Sequence, residues 1–340
     1  MASTALVTGG SGFIASHLMP ALVHQGWDVR TCGRRPRPDG LAEEIGYCQV
    51  DLADPSADLG PVVDGVGTVF HLAGASSSRS SESEMFRNNV DATAHLLAAV
   101  TAAGVDVVVH MSSTSVYGEE EQLPSPVPET VEPRPSRAYG KAKWQTEQVV
   151  WRAAEAGLDV VVLRPVSVHG PGATKLLASA ILDVAIERFA GLDTVVIGPV
   201  PVEQRLLHVD DLVAASLYLA AHVPARGHAF NVAMPTHPSS HDVAALLAAE
   251  FGLGFGVGDD ADCGPGTEER AGARDEMLAK GMTDDILFTP ERFRFMRKAN
   301  RNNRIDLAAL HGTGFALAQT DLGVAVADLT AWYRDHGWIL

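Results

Sequence analysis

An α/β chain built on an open parallel sheet, with helices on both faces, is the fold class the sequence predicts, and three observations predict it. Short Val-rich apolar runs alternate with helical patterns through the first half of the 340 residues. The runs are continuous rather than alternating in polarity, as strands covered on both faces must be. A glycine-rich turn joins the first run to the first helical pattern.

Taken in order, Thr4–Val7, Trp27–Cys32, Gly46–Val50, Thr68–Leu72, Val105–Ser112 and Val160–Leu163 read as strands, and Phe13–His24, Phe86–Ala103 and Ala138–Ala156 as helices. Alternating β and α segments of these lengths imply a doubly wound parallel sheet, and right-handed crossovers leave a Rossmann-like order. Glu119–Ser136 carries five prolines and reads as a loop, and Gly252–Thr267, rich in Gly and Asp, as a surface insertion. From about Pro171 strand signals thin and helical patterns dominate. The expected organisation is a core over 1–170 and a smaller, mostly helical lobe over 171–340, with a stretch of about 192–235 returning to the core.

Lys and Arg total 26 against 42 Asp and Glu, a formal net charge of −16. Affinity for a polyanion comes mainly from Lys and Arg neutralising phosphates, so nucleic acid is excluded as a general partner, and so is an electrostatic hold on an anionic membrane. A small anionic ligand is not excluded, because a pocket can be locally positive. Cys32, Cys48 and Cys263 lack metal-like spacing, and no His, Cys and carboxylate pattern suggests a metal site. The opening MASTALVTGG lacks the basic and apolar regions of a signal peptide, and no apolar run nears the ~18 residues of a membrane span. The expectation is a cytoplasmic protein.

Thr4–Val7 runs into Thr8-Gly9-Gly10-Ser11-Gly12-Phe13-Ile14-Ala15. Gly9 allows a tight turn, Gly12 lets the backbone approach a pyrophosphate, and Ala15 allows close helix–strand packing. The helix then offers free N–H groups to phosphates. The second strand of a site for NAD usually ends in an acid that binds the adenosine ribose. Here Gly33 stands there, followed by Arg34 and Arg35. Two guanidiniums suit a 2′-phosphate, so the cofactor expected is NAD(P), with NADP favoured over NAD. Asp51-Leu52 ends the third strand, where a carboxylate can meet the adenine amino group, and Leu72-Ala73-Gly74 follows the fourth, small enough for the backbone to lie on the cofactor.

The strand Val105–Ser112 leads into Ser113-Thr114-Ser115-Val116-Tyr117-Gly118, and Tyr139 and Lys143 stand four apart on a helix, on one face. A phenol titrates near ~10, and a neighbouring ammonium lowers that value, so Tyr139 is expected to exchange a proton while hydride moves to or from a nicotinamide. Ser113 would hold the reacting oxygen.

These motifs in this order resemble the extended short-chain dehydrogenase/reductases, the NAD(P)-dependent epimerase/dehydratase group that acts largely on nucleotide sugars. Thr8–Ala15 is similar to that family's TGGxGFIG, with Ala15 in place of the last glycine. Asp51-Leu52, His71–Gly74, Asn89-Val90, Leu163-Arg164-Pro165 with Val168–Pro171, His208–Asp211 and Phe230–Val232 fall where the family has its further motifs. The resemblance implies catalysis by Ser113, Tyr139 and Lys143. It implies cofactor contacts at Gly9, Gly12, Phe13, Ile14, Asp51, Leu52, Leu72, Ala73, Gly74, Asn89, Tyr139, Lys143, Pro165 and Val168. Substrate contacts would fall to Ser113, Thr114, Ser115, Ser167 and Arg205. Arg297 and Arg301 join them through a basic helix face with Arg294 and Lys298. His208 reads as structural.

The family's 4,6-dehydratases carry an Asp and Glu where this chain has Thr114 and Ser115, which disfavours dehydration. Epimerisation and keto-sugar reduction both stay open, on a nucleotide-linked sugar. A reductase of a non-sugar ketone or lactone is the alternative, and a cofactor-binding protein without catalysis the reading from a different class. The resemblance also implies a homodimer through the helices Phe86–Ala103 and Ala138–Ala156.

Overall fold

Seven strands share one sheet, every neighbouring pair parallel, in the computed structural model. They are β1 (Thr4–Thr8), β2 (Asp28–Gly33), β3 (Gly46–Gln49), β4 (Thr68–His71), β5 (Val107–Met111), β6 (Val160–Pro165) and β10 (His228–Val232), in the order β10-β6-β5-β4-β1-β2-β3. The structure describes residues 3–75, 81–118, 123–259, 266–290, 293 and 304–340. The six expected strands are all present, with ends shifted by a residue or two. The motif Phe230-Asn231-Val232 supplies the seventh. Chain order reverses between β1 and β4, and the carboxyl ends of strands at such a switch point form the crevice where ligands bind an open α/β sheet. No described helix is long and apolar enough to cross a membrane.

The helices flanking this sheet are α1 (Phe13–His24), α2 (Gly60–Val63), α3 (Glu82–Phe86), α4 (Ala92–Ala103), α5 (Ala138–Glu155), α7 (Val209–Ala221) and α10 (Ala308–Gly312). The helix expected over Phe86–Ala103 is interrupted: Arg87–Asp91 forms a π-helical turn between α3 and α4. The widened turn coincides with Asn89, which is buried and bonded to backbone carbonyls. The Pro-rich loop has no helix or strand over its described part, 123–136, apart from a bridge between Val127 and Ile305.

The chain divides into two compact units. The first comprises Met1–Val166, Val209–Ala233 and Ile305–Ala316; the second comprises Ser167–His208, Met234–Arg304 and Leu317–Leu340. The stretches that return to the first unit are thus 209–233 and 305–316, not 192–235, because the strand near 195 packs in the core of the second unit.

That second unit holds β7 (Ser167–His169) paired with β9 (Leu206–His208), and β8 (Thr194–Ile197) paired with β11 (Gly254–Val257), both parallel. Its helices are α6 (Leu177–Phe189), α8 (Ser240–Glu250), α9 (Thr267–Ala279) and α11 (Leu322–Asp335). Part of the expected insertion Gly252–Thr267 is therefore a strand, β11. Gly254 and Gly256 disguise it, and both lie against Thr194 of β8. Residues 177–187 of α6 are buried throughout, so this helix forms the axis of the unit's core.

Candidate active site

The turn after β1 is shaped by space as much as by backbone angle. Gly9 has φ +74°, and a Cβ there would stand 2.9 Å from the Ala73 nitrogen. Gly10 is glycine for a reason the sequence did not signal: its Cβ would fall 2.1 Å from the Thr31 hydroxyl, which itself donates to the Val7 carbonyl at 2.6 Å. Gly12 stands at the N-cap of α1, with no side-chain cap and no acid in the first turn. A 12-residue helix with that start presents unsatisfied N–H groups and the positive end of its dipole. The cradle that Cβ atoms would fill and the open helix end fit the pyrophosphate of a dinucleotide. Phe13 and Ile14 follow, half-buried, and Ala15 is buried at the helix–strand contact.

Toward the adenosine end, Arg34 and Arg35 follow β2 and are exposed. Their carbonyls are held from β3: Gln49 Nε2 donates to that of Arg34 at 3.2 Å, and the Tyr47 hydroxyl to that of Arg35. Asp51 Oδ1 accepts from the Ala53 nitrogen at 3.0 Å, and Leu52 is buried. Leu72 and Ala73 are half-buried and Gly74 is exposed. The Thr8 hydroxyl accepts from the Ala73 nitrogen at 3.1 Å and meets His71 Nδ1 at 2.8 Å, which ties the ends of β1 and β4 together. Asn89 lies behind this loop. Its amide donates to the Ala75 and Met85 carbonyls at 3.2 and 2.7 Å, and a Cβ on Gly74 would stand 2.4 Å from its oxygen. Asn89 therefore shapes the loop from beneath.

Lys143, on α5, lies beside the same loop, and Tyr139 stands one turn earlier on that helix. Ser113 follows β5, and its hydroxyl oxygen accepts from the Ser115 nitrogen at 3.2 Å and the Ser115 hydroxyl at 2.9 Å. Ser113 is near enough to Tyr139, on α5, to favour its ionised form. The electrostatics differ from expectation. Burial raises the Tyr139 phenol above its ordinary value of 10, and Ser113 only partly opposes this. The Lys143 ammonium donates to the Met111 carbonyl at 2.7 Å and lies 3.5 Å from where a Gly74 Cβ would be. Burial lowers Lys143 itself to about 8, against the pull of Glu147.

Of the residues expected to meet substrate, Thr114 donates to the Pro165 carbonyl at 3.4 Å and Ser115 to Ser113. Pro165 ends β6 and is buried. In the second unit, Ser167 and Val168 lie half-buried in β7, and Arg205 is half-buried directly before β9. His208 meets His169 edge-on, with ring centroids 5.3 Å apart. Arg294, Arg297, Lys298 and Arg301 lie outside the described residues.

A buried polar chain runs from Ser112, next to Ser113, through α5, which carries Tyr139 and Lys143. Arg164, from β6, grips Glu147 of α5 through Nε–Oε1 at 3.0 Å and a terminal nitrogen to Oε2 at 2.7 Å. Ser112 also donates to Glu147. Arg164 continues to the Tyr117 hydroxyl at 2.9 Å, and Tyr117 donates to Asn231 Oδ1 at 2.7 Å. Asn231 then holds the Pro-rich loop through the Val127 carbonyl and the Glu129 carboxylate. One signal was available: Glu147 is four residues beyond Lys143, on the same helical face.

The sequence pattern described as the NAD dependent epimerase/dehydratase family matches residues 5–233. Among solved structures, MoeE5 in complex with UDP-glucose and NAD is 28% identical, with a TM-score of 0.69 over 98% of this chain and 99% of that one. The UDP-glucose 4-epimerase of Thermotoga maritima, solved with UDP-glucose, is 22% identical with a TM-score of 0.73 over 98% and 99% of the two chains, a likeness of fold. A 4-hydroxy-2-methyl-3-oxo-4-farnesyl-3,4-dihydroquinoline-1-oxide ketoreductase of Stigmatella aurantiaca is 31% identical over 193 residues, 55% of this chain and 57% of the relative. The chain spans about half the length of the curated relatives it matches. With the family pattern running from β1 to the end of β10, the chain belongs to the NAD dependent epimerase/dehydratase family.

Proposed function

We propose that this chain binds NADP in preference to NAD and carries out 4-epimerisation or keto-group reduction of a nucleotide-linked sugar. The observation that carries the reading is the placement of Tyr139 and Lys143 one turn apart on α5, with the Lys143 ammonium on the Met111 carbonyl at the end of β5 and next to Gly74, and Ser113 two residues beyond that strand. When bound, the nicotinamide supplies or accepts the hydride. Gly9, Gly12, Phe13 and Ile14 would hold the pyrophosphate end, and Arg34 and Arg35 a 2′-phosphate, with Asp51 and Leu52 at the adenine.

Tyr139 holds its proton at neutral pH, because burial keeps the phenol above its ordinary value. It is thus set to give a proton to a carbonyl oxygen, and Ser113 orients that oxygen by a second hydrogen bond. In the oxidative direction Tyr139 must take the proton back. The Lys143 ammonium, one helical turn on, stabilises the phenolate that results. Thr114 and Ser115 bear no acid, and Ser115 is engaged with Ser113, which supports epimerisation or reduction over 4,6-dehydration. Ser167 and Arg205, with Arg297 and Arg301, are the substrate residues proposed in the second unit. Cys32 and Cys48 are free thiols, which supports a reducing, cytoplasmic setting. A homodimer through α4 and α5 is proposed as well. Ala94, Ala98, Thr101 and Val149 line a shallow apolar groove between those helices.

The identity of the Stigmatella relative favours a second reading, NADPH-dependent reduction of a non-sugar ketone. The test is incubation of the purified chain with NADP(H) and two substrate sets, UDP-hexoses and their 4-keto forms, and 3-keto esters and lactones. Conversion of a UDP-sugar, followed by chromatography, supports the first reading. Reduction confined to the second set overturns it in favour of the other. Tight NADPH binding with no turnover of either set would make the chain a binding protein.

A further inference from the structure

We propose that Tyr47 is a specificity-determining residue for the cofactor: its hydroxyl fills the volume that a side chain at position 33 would need, and it tethers the turn that carries Arg34 and Arg35. The proposal rests on the reading of those arginines as a 2′-phosphate site. β2 and β3 run parallel, with Thr31 opposite Tyr47 and Gly33 opposite Gln49. Residues two apart on a strand point to one face, so these four side-chain positions share a surface. At its first position Thr31 excludes a Cβ on Gly10. At its second, the Tyr47 hydroxyl oxygen stands 2.9 Å from where a Gly33 Cβ would be.

Only that oxygen is in the way. The next ring atoms, Cζ and Cε2, lie at 3.8 and 3.9 Å, ordinary contact distances. Gly33 is not among the glycines with positive φ, so its backbone would accept a side chain. The hydroxyl is not free to swing aside, because it donates to the Arg35 carbonyl. Gln49 holds the Arg34 carbonyl, and the Val50 nitrogen donates to the Gly33 carbonyl at 2.8 Å. β3 and Val50, the residue after it, thus pin three successive carbonyls and leave both arginines exposed, where a dianionic phosphate can reach them. The acid that would bind a ribose diol at the end of β2 is shut out by a neighbouring strand's phenol, not by the turn itself.

The test is a binding titration of NADPH and NADH, read by calorimetry, on the full chain and on Gly33→Asp, Tyr47→Phe and the double variant. Tyr47→Phe is expected to weaken NADPH about threefold and leave NADH within about twofold, since only the tether is lost. Gly33→Asp alone is expected to lose about tenfold or more in NADPH affinity with no gain for NADH. In the double variant the carboxylate fits, and NADH is expected to bind about tenfold more tightly than it does to Gly33→Asp. An equal gain for NADH in Gly33→Asp without the tyrosine change would overturn the role of Tyr47. Should Gly33→Asp fail to fold, Gly33→Ala replaces it: a loss of NADPH affinity caused by Gly33→Ala when Tyr47 is present, but not when it is added to Tyr47→Phe, supports the proposal, and an equal loss in the two backgrounds overturns it. A wild-type preference for NADH would sink the 2′-phosphate reading instead, and the comparison of single and double variants still decides the steric role.

Discussion

Arg164 in the first unit and Arg270 in the second are both almost wholly buried, at 4% and 1% exposure, and both are met by acids. Their surroundings differ. Arg270, on α9, meets Asp183 and Glu187 of α6, Asp183 also accepts from the Phe293 nitrogen, and α6 is otherwise part of the second unit's apolar core. Arg164 meets Glu147 in a forked pair, and its partners lead on to Ser112 beside Ser113, to Tyr117 at the end of the turn that Ser113 opens, and to the helix that carries Lys143. A buried ion pair is weak evidence of function, because breaking one is costly wherever it lies. What separates these two is where their hydrogen bonds go next.

The largest expected effect sets the scale for that comparison. Tyr139→Phe removes the proton but little volume, and turnover is expected to fall about 10²–10⁴-fold, with NADPH affinity nearly unchanged. Turnover within about twofold of wild type would remove Tyr139 from the chemistry, and the network behind it would lose its claim to function.

Breaking each arginine cluster comes next. Arg164→Met and Arg270→Met each strand buried carboxylates and are expected to cost about 3–5 kcal/mol in denaturant unfolding. The two should part company in activity, measured where each variant is folded. Arg270→Met is expected to keep its turnover, whereas Arg164→Met and Glu147→Gln lose it. Glu147→Gln adds a pH signature. Burial already lowers Lys143 to about 8 and Glu147 opposes it, so removing that negative charge lowers Lys143 further. In the proposed mechanism the protonated lysine is the active form, so the alkaline limb of the pH–rate profile should move to lower pH. A limb that stays in place would reduce Glu147 to a packing partner, like the acids around Arg270.

The parts of this architecture that could be read in advance share one property: their reasons are local. The fully buried run Val107–Met111 reads as a strand because three successive valines open it, and Tyr139 and Lys143 reveal a common face through their spacing. Arg164 and Glu147 are 17 residues apart and meet only because β6 and α5 stack in one register, so nothing in either segment names the other. Gly10 is required by Thr31, on a neighbouring strand, and β11 hides behind two glycines that fit against Thr194. The raised Tyr139 phenol is non-local as well, since burial comes from the elements packed around α5 and not from its own spacing.

Acid stability gives a smaller contrast between the units. In the first, burial and then the nearby Lys143 charge hold His71 down to about 3, while burial, His71 and Lys143 hold His110 well below 6.5. In the second, burial and His208 hold His169 down to about 3. The unfolded chain takes up these protons near pH 6.5 and the native protein far lower, so no stability is lost above 6.5. Each histidine then favours unfolding as pH falls toward 3, by up to about 1.4 kcal/mol per pH unit. His71 is anchored to Thr8 and Thr93, whereas neither ring nitrogen of His110 has a hydrogen-bond partner among the described residues. His110→Val is therefore expected to raise the melting temperature at pH 5 more than at pH 7. An equal shift at both would mean that the ring is not held neutral.

The smallest effect concerns how helices begin. α8, in the second unit, starts with a reciprocal cap: the Asp242 nitrogen donates to Ser239 Oγ at 3.2 Å, and the Ser239 nitrogen donates to the Asp242 carboxylate at 2.7 Å. α1, in the first, starts on Gly12 with no side chain across its end. The first arrangement spends the free N–H groups on the protein, and the second keeps them for an anion. Ser239→Ala should cost about 1 kcal/mol and leave cofactor affinity untouched, because nothing but the helix uses that cap. The matching measurement on α1 is made from the ligand's side: pyrophosphate alone should protect the Phe13 and Ile14 amides from hydrogen exchange and leave those of Ser240 and His241 unchanged. Equal protection at both helices would mean that the open end of α1 is no different from a capped one, and that the contrast drawn from Gly12 is a matter of geometry without a ligand.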